Sequence, residues 1–333
     1  MVYKQFLAKF AGKDQSMIEN ILLPYVSDRF AGEPRYREGH VRIVNPLPGV
    51  PVLGLHIPDM KKIARELAAG DGMPALLEGF ETAGPGLYYE EKLVWGLMLD
   101  CMKAPLADRL LHLERFVPQI DNWAVCDTVC GASKWVMRRD RMSVAGKGGR
   151  ISSSGGASGV REAVWDFLER WWGSEREFEV RFAVIMAMCH FLSPEWLDRV
   201  FGKIDSLDFS RIASEYVFIG DRRRQGAGSV DGGPGAGENG GNKERGENKA
   251  CAESFLVRSG AGYSLSGLKA GTVLGASPYY VRMGVAWLLA TSLAKFPGRT
   301  REYVRSCSLP EDVLKLYVRK ARESFRTRDV SPV

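Results

Sequence analysis

Apolar residues recur along most of this chain three and four positions apart, the spacing that lines one face of an α-helix. Met60, Ile63, Ala64 and Leu67 carry the pattern, Pro58 suits a first helical turn, and Ala68-Ala69-Gly70 ends it. The same period predicts helices over Met17 to Tyr25, Met73 to Phe80, Arg161 to Trp172, Glu177 to Phe191, Pro194 to Phe201, Pro278 to Lys295 and Pro310 to Ser324. Most are entered through Pro, Ser, Asp or Glu, the residues that suit a helix start. YYEEKLVWGLMLDCMK, residues 88–103, sets acidic residues in an opening turn before an almost wholly apolar body, which predicts a buried core helix. Pro105 opens ADRLLHLERFV and Pro118 closes it.

Between these lie less regular stretches. The chain from Tyr25 to His40 is polar and basic, and Asn45 to Pro58, rich in Pro and Gly, is predicted to be irregular. No clear alternating strand pattern competes with the helices, although SEYVFIG is a short hydrophobic stretch inside an insertion spanning residues 208–276. Many helices joined mostly by short loops predict an all-α array of antiparallel pairs, a repeat-like α-solenoid forming one domain over residues 1–330. Residues 145–160 are expected to be a flexible loop and residues 222–250 a Gly-rich disordered insertion. The Arg222-Arg223-Arg224 run reads as the solvated end of that linker or as a phosphate contact.

With 333 residues, 45% of them hydrophobic, the chain can bury a large core, which excludes a disordered or fibrous protein. A net charge of +6 permits an anionic partner without requiring one. Six scattered cysteines make no disulfide framework, so a reducing, cytoplasmic setting is expected. Cys126 and Cys130 stand alone as CxxxC and the four histidines form no HExxH, so neither a metal nor a cofactor is expected. The apolar runs are too short to span a bilayer and MVYKQFLAKFAGKDQ lacks the apolar core of a signal peptide, which predicts a soluble protein with no membrane partner.

The most informative chemistry lies in DNWAVCDTVC. On a helix, Trp123 and Asp127 stand one turn apart on the same face, an apolar wall beside a carboxylate that suits a flat cationic group. The alternative is a core Trp123 and an Asp127 paired with a neighbouring helix. Asp121 is the expected N-cap. Arg181 sits in the apolar helix EFEVRFAVIMAM, where a guanidinium must either pair with a carboxylate such as Asp127 or bind phosphate. Trp287 is either core or a second aromatic wall. Arg282 follows Tyr279 and Tyr280 at a helix start, where a phosphate could meet free backbone N–H groups.

NWAVCD, EVRFAVIMAM, PYYVRMGVAWLLAT and the closing VRKARESFRT resemble, in order and spacing, the DNA alkylation repair family, the AlkD-like alkylpurine DNA glycosylases. The likeness runs over about residues 50–325 and is interrupted by the Gly-rich insertions. It implies a HEAT-like helical repeat array with a concave basic groove. It also implies a glycosylase that binds double-stranded DNA by its backbone and releases N3- and N7-alkylated purines; with no lysine assigned as a nucleophile a monofunctional enzyme is expected, and a monomer. Matched residue by residue, Trp123 and Trp287 become groove walls, Asp127 the catalytic carboxylate and Arg181 a phosphate clamp; Tyr279, Tyr280 and Arg282, from their place at a helix start, are expected as further DNA contacts.

Overall fold

The prolines that precede apolar periods open helices, because fixed φ and a missing N–H cost nothing in a first turn. In the computed structural model, which describes residues 18–47, 49–137, 157–219, 256–258, 274–275 and 278–333, Pro34, Pro58, Pro74 and Pro297 all occupy first turns. The N-terminal part holds α1 (Glu19–Leu22), α2 (Asp28–Gly32), α3 (Pro34–Val44), α4 (Ile57–Ala69) and α5 (Met73–Ala83). The middle holds α6 (Tyr89–Cys101), α7 (Leu106–Phe116), α8 (Trp123–Ala132), α9 (Ala157–Trp172), α10 (Glu177–His190) and α11 (Leu197–Asp205). After the strands come α12 (Tyr279–Lys295), α13 (Pro297–Ser306) and α14 (Glu311–Glu323).

Alternate helices build one continuous row: α4 packs on α6, α6 on α8, α8 on α10, α10 on α12 and α12 on α14. A second layer covers it, with α5 and α7 against α6, α9 against α10, and α13 against α12. Phe201 of α11 stacks on Tyr303 of α13 within this outer layer, ring centroids 4.2 Å apart. Contacts that run from each helix pair to the next define an all-α solenoid, as expected. Among the described residues no helix is long and apolar enough to cross a membrane.

A helix inside the row has neighbours on both flanks and a cover behind, so α6 and α10 are buried almost all round. Their charged residues therefore need partners. Glu91 accepts from the Tyr88 N–H at 3.0 Å and closes a capping box. Lys92 meets Asp121 at 2.5 Å. Close approach of α6 to its neighbours depends on Gly96, where a Cβ would lie 2.4 Å from Val129 Cγ2 and 2.6 Å from Phe116 Cζ.

At four places the structure adds to the sequence expectation or departs from it. The polar segment before His40 is helical, as α2 and α3, because Ser27 caps α2 by accepting the Phe30 N–H at 3.2 Å and Pro34 starts α3. Helix α13 was equally unforeseen; it buries only Thr300 and Val304. The SEYVFIG stretch forms β1 (Tyr216–Ile219), the centre of an antiparallel sheet between β2 (Leu256–Arg258) and β3 (Leu274–Gly275). Its register pairs Tyr216 with Arg258 and Phe218 with Gly275. Helix α9 begins at Ala157, inside the expected loop, while residues 145–156 and 222–250 lie outside the described residues.

Candidate active site

Helix α8 starts at Trp123 because Asn122, in extended backbone, accepts the Ala124 N–H through its side-chain oxygen at 2.7 Å. The cap is thus Asn122 and not Asp121, which stands one residue too early and pairs with Lys92 instead. The Asn122 amide also donates to the Val44 carbonyl at 2.7 Å and the Asn45 carbonyl at 3.2 Å, fastening α8 to the end of α3. Trp123 and Asp127 follow one turn apart, both partly exposed.

Asp127 is gripped side-on by Arg181 of α10. Nε donates to Oδ1 at 3.0 Å and Nη2 to Oδ2 at 2.8 Å, the two-pronged geometry that fixes a carboxylate in plane and direction. The arginine side chain is 4% exposed and the aspartate 13%, so the pair lies with its anion toward solvent. Burial disfavours the charged guanidinium, but the charge and hydrogen bonds of Asp127 outweigh it and raise the Arg181 pKa above its ordinary value. Nη1 donates to the Tyr280 carbonyl in the first turn of α12. Gly284 lets α12 pass close by, since a Cβ there would sit 3.3 Å from Nη1. With each of its three nitrogens engaged inside the fold, Arg181 holds Asp127 and does not present a phosphate clamp to solvent.

Glu177, one turn before Arg181, accepts the Tyr280 N–H at 2.6 Å and the Ser214 hydroxyl proton. Helix α10 therefore grips both sides of the Tyr280 residue. The α12 N-terminus expected to greet phosphate is occupied by this carboxylate. Burial pushes Glu177 up to about 7, against the lowering effects of Ser214, the α12 N–H groups and Arg181. In the sequence Glu177 looked only like an opening-turn acid; its place four residues before Arg181 on an apolar helix was the available signal.

The aromatic residues divide. Tyr280 is buried, and its hydroxyl accepts from the Asn45 amide at 2.8 Å. Tyr216, at the start of β1, donates to the Asn45 carbonyl at 3.0 Å and the Asp121 carbonyl at 2.9 Å, so the sheet is anchored beside the head of α8. Asn45 can serve all three partners because it adopts the left-handed conformation, φ 51°, at the C-cap of α3. Tyr279 is half-buried and meets Tyr280 edge-on at 5.5 Å. Arg282 turns to α14, with Nη1 2.7 Å from both oxygens of Asp312, so it fastens the row. Trp287, two turns beyond Tyr280 on α12, is 40% exposed.

Asp127, Arg181 and Tyr280 thus form a linked chain across α8, α10 and α12, three successive helices of one row, with Trp123 one turn before Asp127 on α8. The arrangement defines a helical-repeat protein with one orientated, partly exposed carboxylate and aromatic residues on the same row. Residues 33–145 match the family described as DNA alkylation repair enzyme, which bears out the resemblance over about a third of the chain, Trp123 and Asp127 included. That match supports an enzyme role in repair of alkylation damage, with DNA as substrate. Comparison with curated proteins and with solved structures found no match.

Proposed function

We propose that the protein is a monofunctional DNA glycosylase that hydrolyses the N-glycosidic bond of N3- and N7-alkylated purines in duplex DNA. The observation that carries this function is the Asp127 carboxylate, partly exposed and locked in direction by a buried arginine. An N-alkylated purine is already cationic and leaves as a neutral base, so no general acid need protonate it. As the bond breaks, positive charge develops on the deoxyribose. The fixed carboxylate stabilises that charge and orients a water, whose oxygen bonds to C1′ while its proton passes to solvent. Trp123 and Trp287 contact the cationic sugar and backbone through their ring faces. No lysine is assigned as a nucleophile, so the product is an abasic site without strand cleavage.

Arg181 is in this scheme a positioning residue. Phosphate contacts fall to groups on the exposed side of the row, with Tyr279 among them, and they position DNA without reading sequence. The test is to incubate the protein with duplex DNA bearing N7-methylguanine and N3-methyladenine, separate released bases chromatographically, and run Asp127→Asn beside it. Release by the wild type that drops about 100-fold or more in the variant is expected. Salt-dependent binding with no release would identify a non-catalytic protein that binds damaged or branched DNA.

A further inference from the structure

Helix α10 contacts Tyr280 twice from one face, through residues one turn apart. The Glu177 carboxylate takes the Tyr280 N–H at 2.6 Å, and Arg181 gives a hydrogen bond to the Tyr280 carbonyl while both its other nitrogens hold Asp127. Displacing the first turn of α12 therefore withdraws one of the acceptors that aim the guanidinium. We infer that Glu177 is a positioning residue for Asp127, acting through Tyr280 and Arg181, and that its ionised form maintains the active arrangement. The role rests on the glycosylase function proposed above.

The groups around Glu177 are few. Arg181 faces it from its own helix, with Asp127 of α8 beyond; Tyr280 faces it from α12, and Ser214 and Tyr216 from the chain entering β1. An ionised carboxylate is the stronger acceptor for the Tyr280 N–H and the Ser214 hydroxyl. Burial raises Glu177 to about 7, so it changes charge near neutrality. The sign of the stability effect runs opposite to that of catalysis. Since the folded carboxyl takes its proton more readily than the unfolded one, falling pH through about 7 stabilises the fold while it weakens the hold on Tyr280. A purely structural residue would move stability and activity together.

Single-turnover release of N7-methylguanine would be followed from about pH 5.5 to 8.5, after subtraction of spontaneous depurination, with melting temperatures in the same buffers. Wild-type release is expected to fall roughly tenfold on the acid side of neutrality, while its melting temperature rises relative to that of Glu177→Gln. Glu177→Gln, charge-neutral and of similar shape, is expected to release base slowly at every pH, without that limb. Ser214→Ala removes a hydrogen bond that favours the ionised form, so its limb should move to higher pH. It also serves as the second variant if Glu177→Gln does not fold. A limb unmoved in Ser214→Ala, or retained in Glu177→Gln, overturns the role of Glu177 while leaving the glycosylase function standing. No release by the wild type at any pH defeats the glycosylase function itself, and this role with it.

Discussion

Asp127 and Arg181 face each other as a side-on pair, with Nε 3.0 Å from one carboxylate oxygen and Nη2 2.8 Å from the other. The guanidinium is the deeper partner, so the acid cannot be removed without stranding a buried charge. Arg181→Lys keeps the charge and loses the fork. The expected outcome is a folded protein whose base release falls about 100-fold, because one ammonium cannot set the plane of the carboxylate. Arg181→Ala should cost about 3–5 kcal/mol in urea unfolding. Unaltered release by the lysine variant would show that the direction of Asp127 does not matter.

Trp287 separates fold from binding more cleanly than any other residue in the site. It is 40% exposed, whereas its neighbours Val285, Ala286, Leu288 and Leu289 are fully buried. Trp287→Ala is therefore expected to leave the unfolding free energy within about 0.5 kcal/mol of wild type. If its ring contacts DNA, the affinity for duplex DNA should weaken about fivefold, near 1 kcal/mol. Fluorescence anisotropy at two salt concentrations checks this, and equal affinity for both proteins would remove Trp287 from the binding face.

How much of this arrangement was legible depends on the range of the interaction. The buried helices α6 and α10 announce themselves because a helix covered on all sides must be apolar on all sides. Helix α3 does not, since it buries only Val44, and a stripe of one residue has no period. Trp123 and Asp127 were visible as a local pair, and Arg181 as a charge in need of a partner. The links that fasten the site were not. Tyr216 reaches Asn45 across 171 positions and Asn45 reaches Tyr280 across 235, and no local pattern encodes such a meeting. Arg282 shows the same limit: a basic residue at a helix start suggests phosphate until the fold supplies Asp312.

Gly96 makes a stability prediction that opposes helix propensity. Alanine in place of a mid-helix glycine ordinarily gains about 1 kcal/mol. Here the new methyl would meet Val129 Cγ2 at 2.4 Å and Phe116 Cζ at 2.6 Å. Val129 is β-branched and helical, so it cannot rotate aside, and Phe116 is fully buried. Gly96→Ala should therefore destabilise by about 1–3 kcal/mol. It should also slow base release, because the displaced helix is α8, which carries Asp127. A stabilised variant would mean that α6 and α8 are not packed as closely as described.

Glu90 sets a pH dependence that can be isolated by difference. Its carboxylate accepts the Leu53 N–H at 2.9 Å and the Gly54 N–H at 2.7 Å, holding the irregular chain before α4 against α6. Gly54 has φ +78° and its Cβ would collide with Phe30, so this chain has little room to move instead. Complete burial raises Glu90 from 4.5 to about 7 in spite of those hydrogen bonds. Between these values the folded state binds a proton that the unfolded state has released, so stability falls as pH rises. The accumulated effect is on the order of 2–4 kcal/mol. Buried His190, whose pKa is lowered by burial, acts in the opposite sense below neutrality, so the wild-type curve alone is a composite. Urea unfolding of wild type and Glu90→Gln at pH 5, 6, 7 and 8 removes that background. The wild type should lose stability relative to the glutamine variant from pH 5 to 7 and keep a constant difference above about pH 8. A difference that is flat across the whole range would mean that Glu90 is not buried as a carboxylic acid, and would displace the 51–56 chain from its place beside α6.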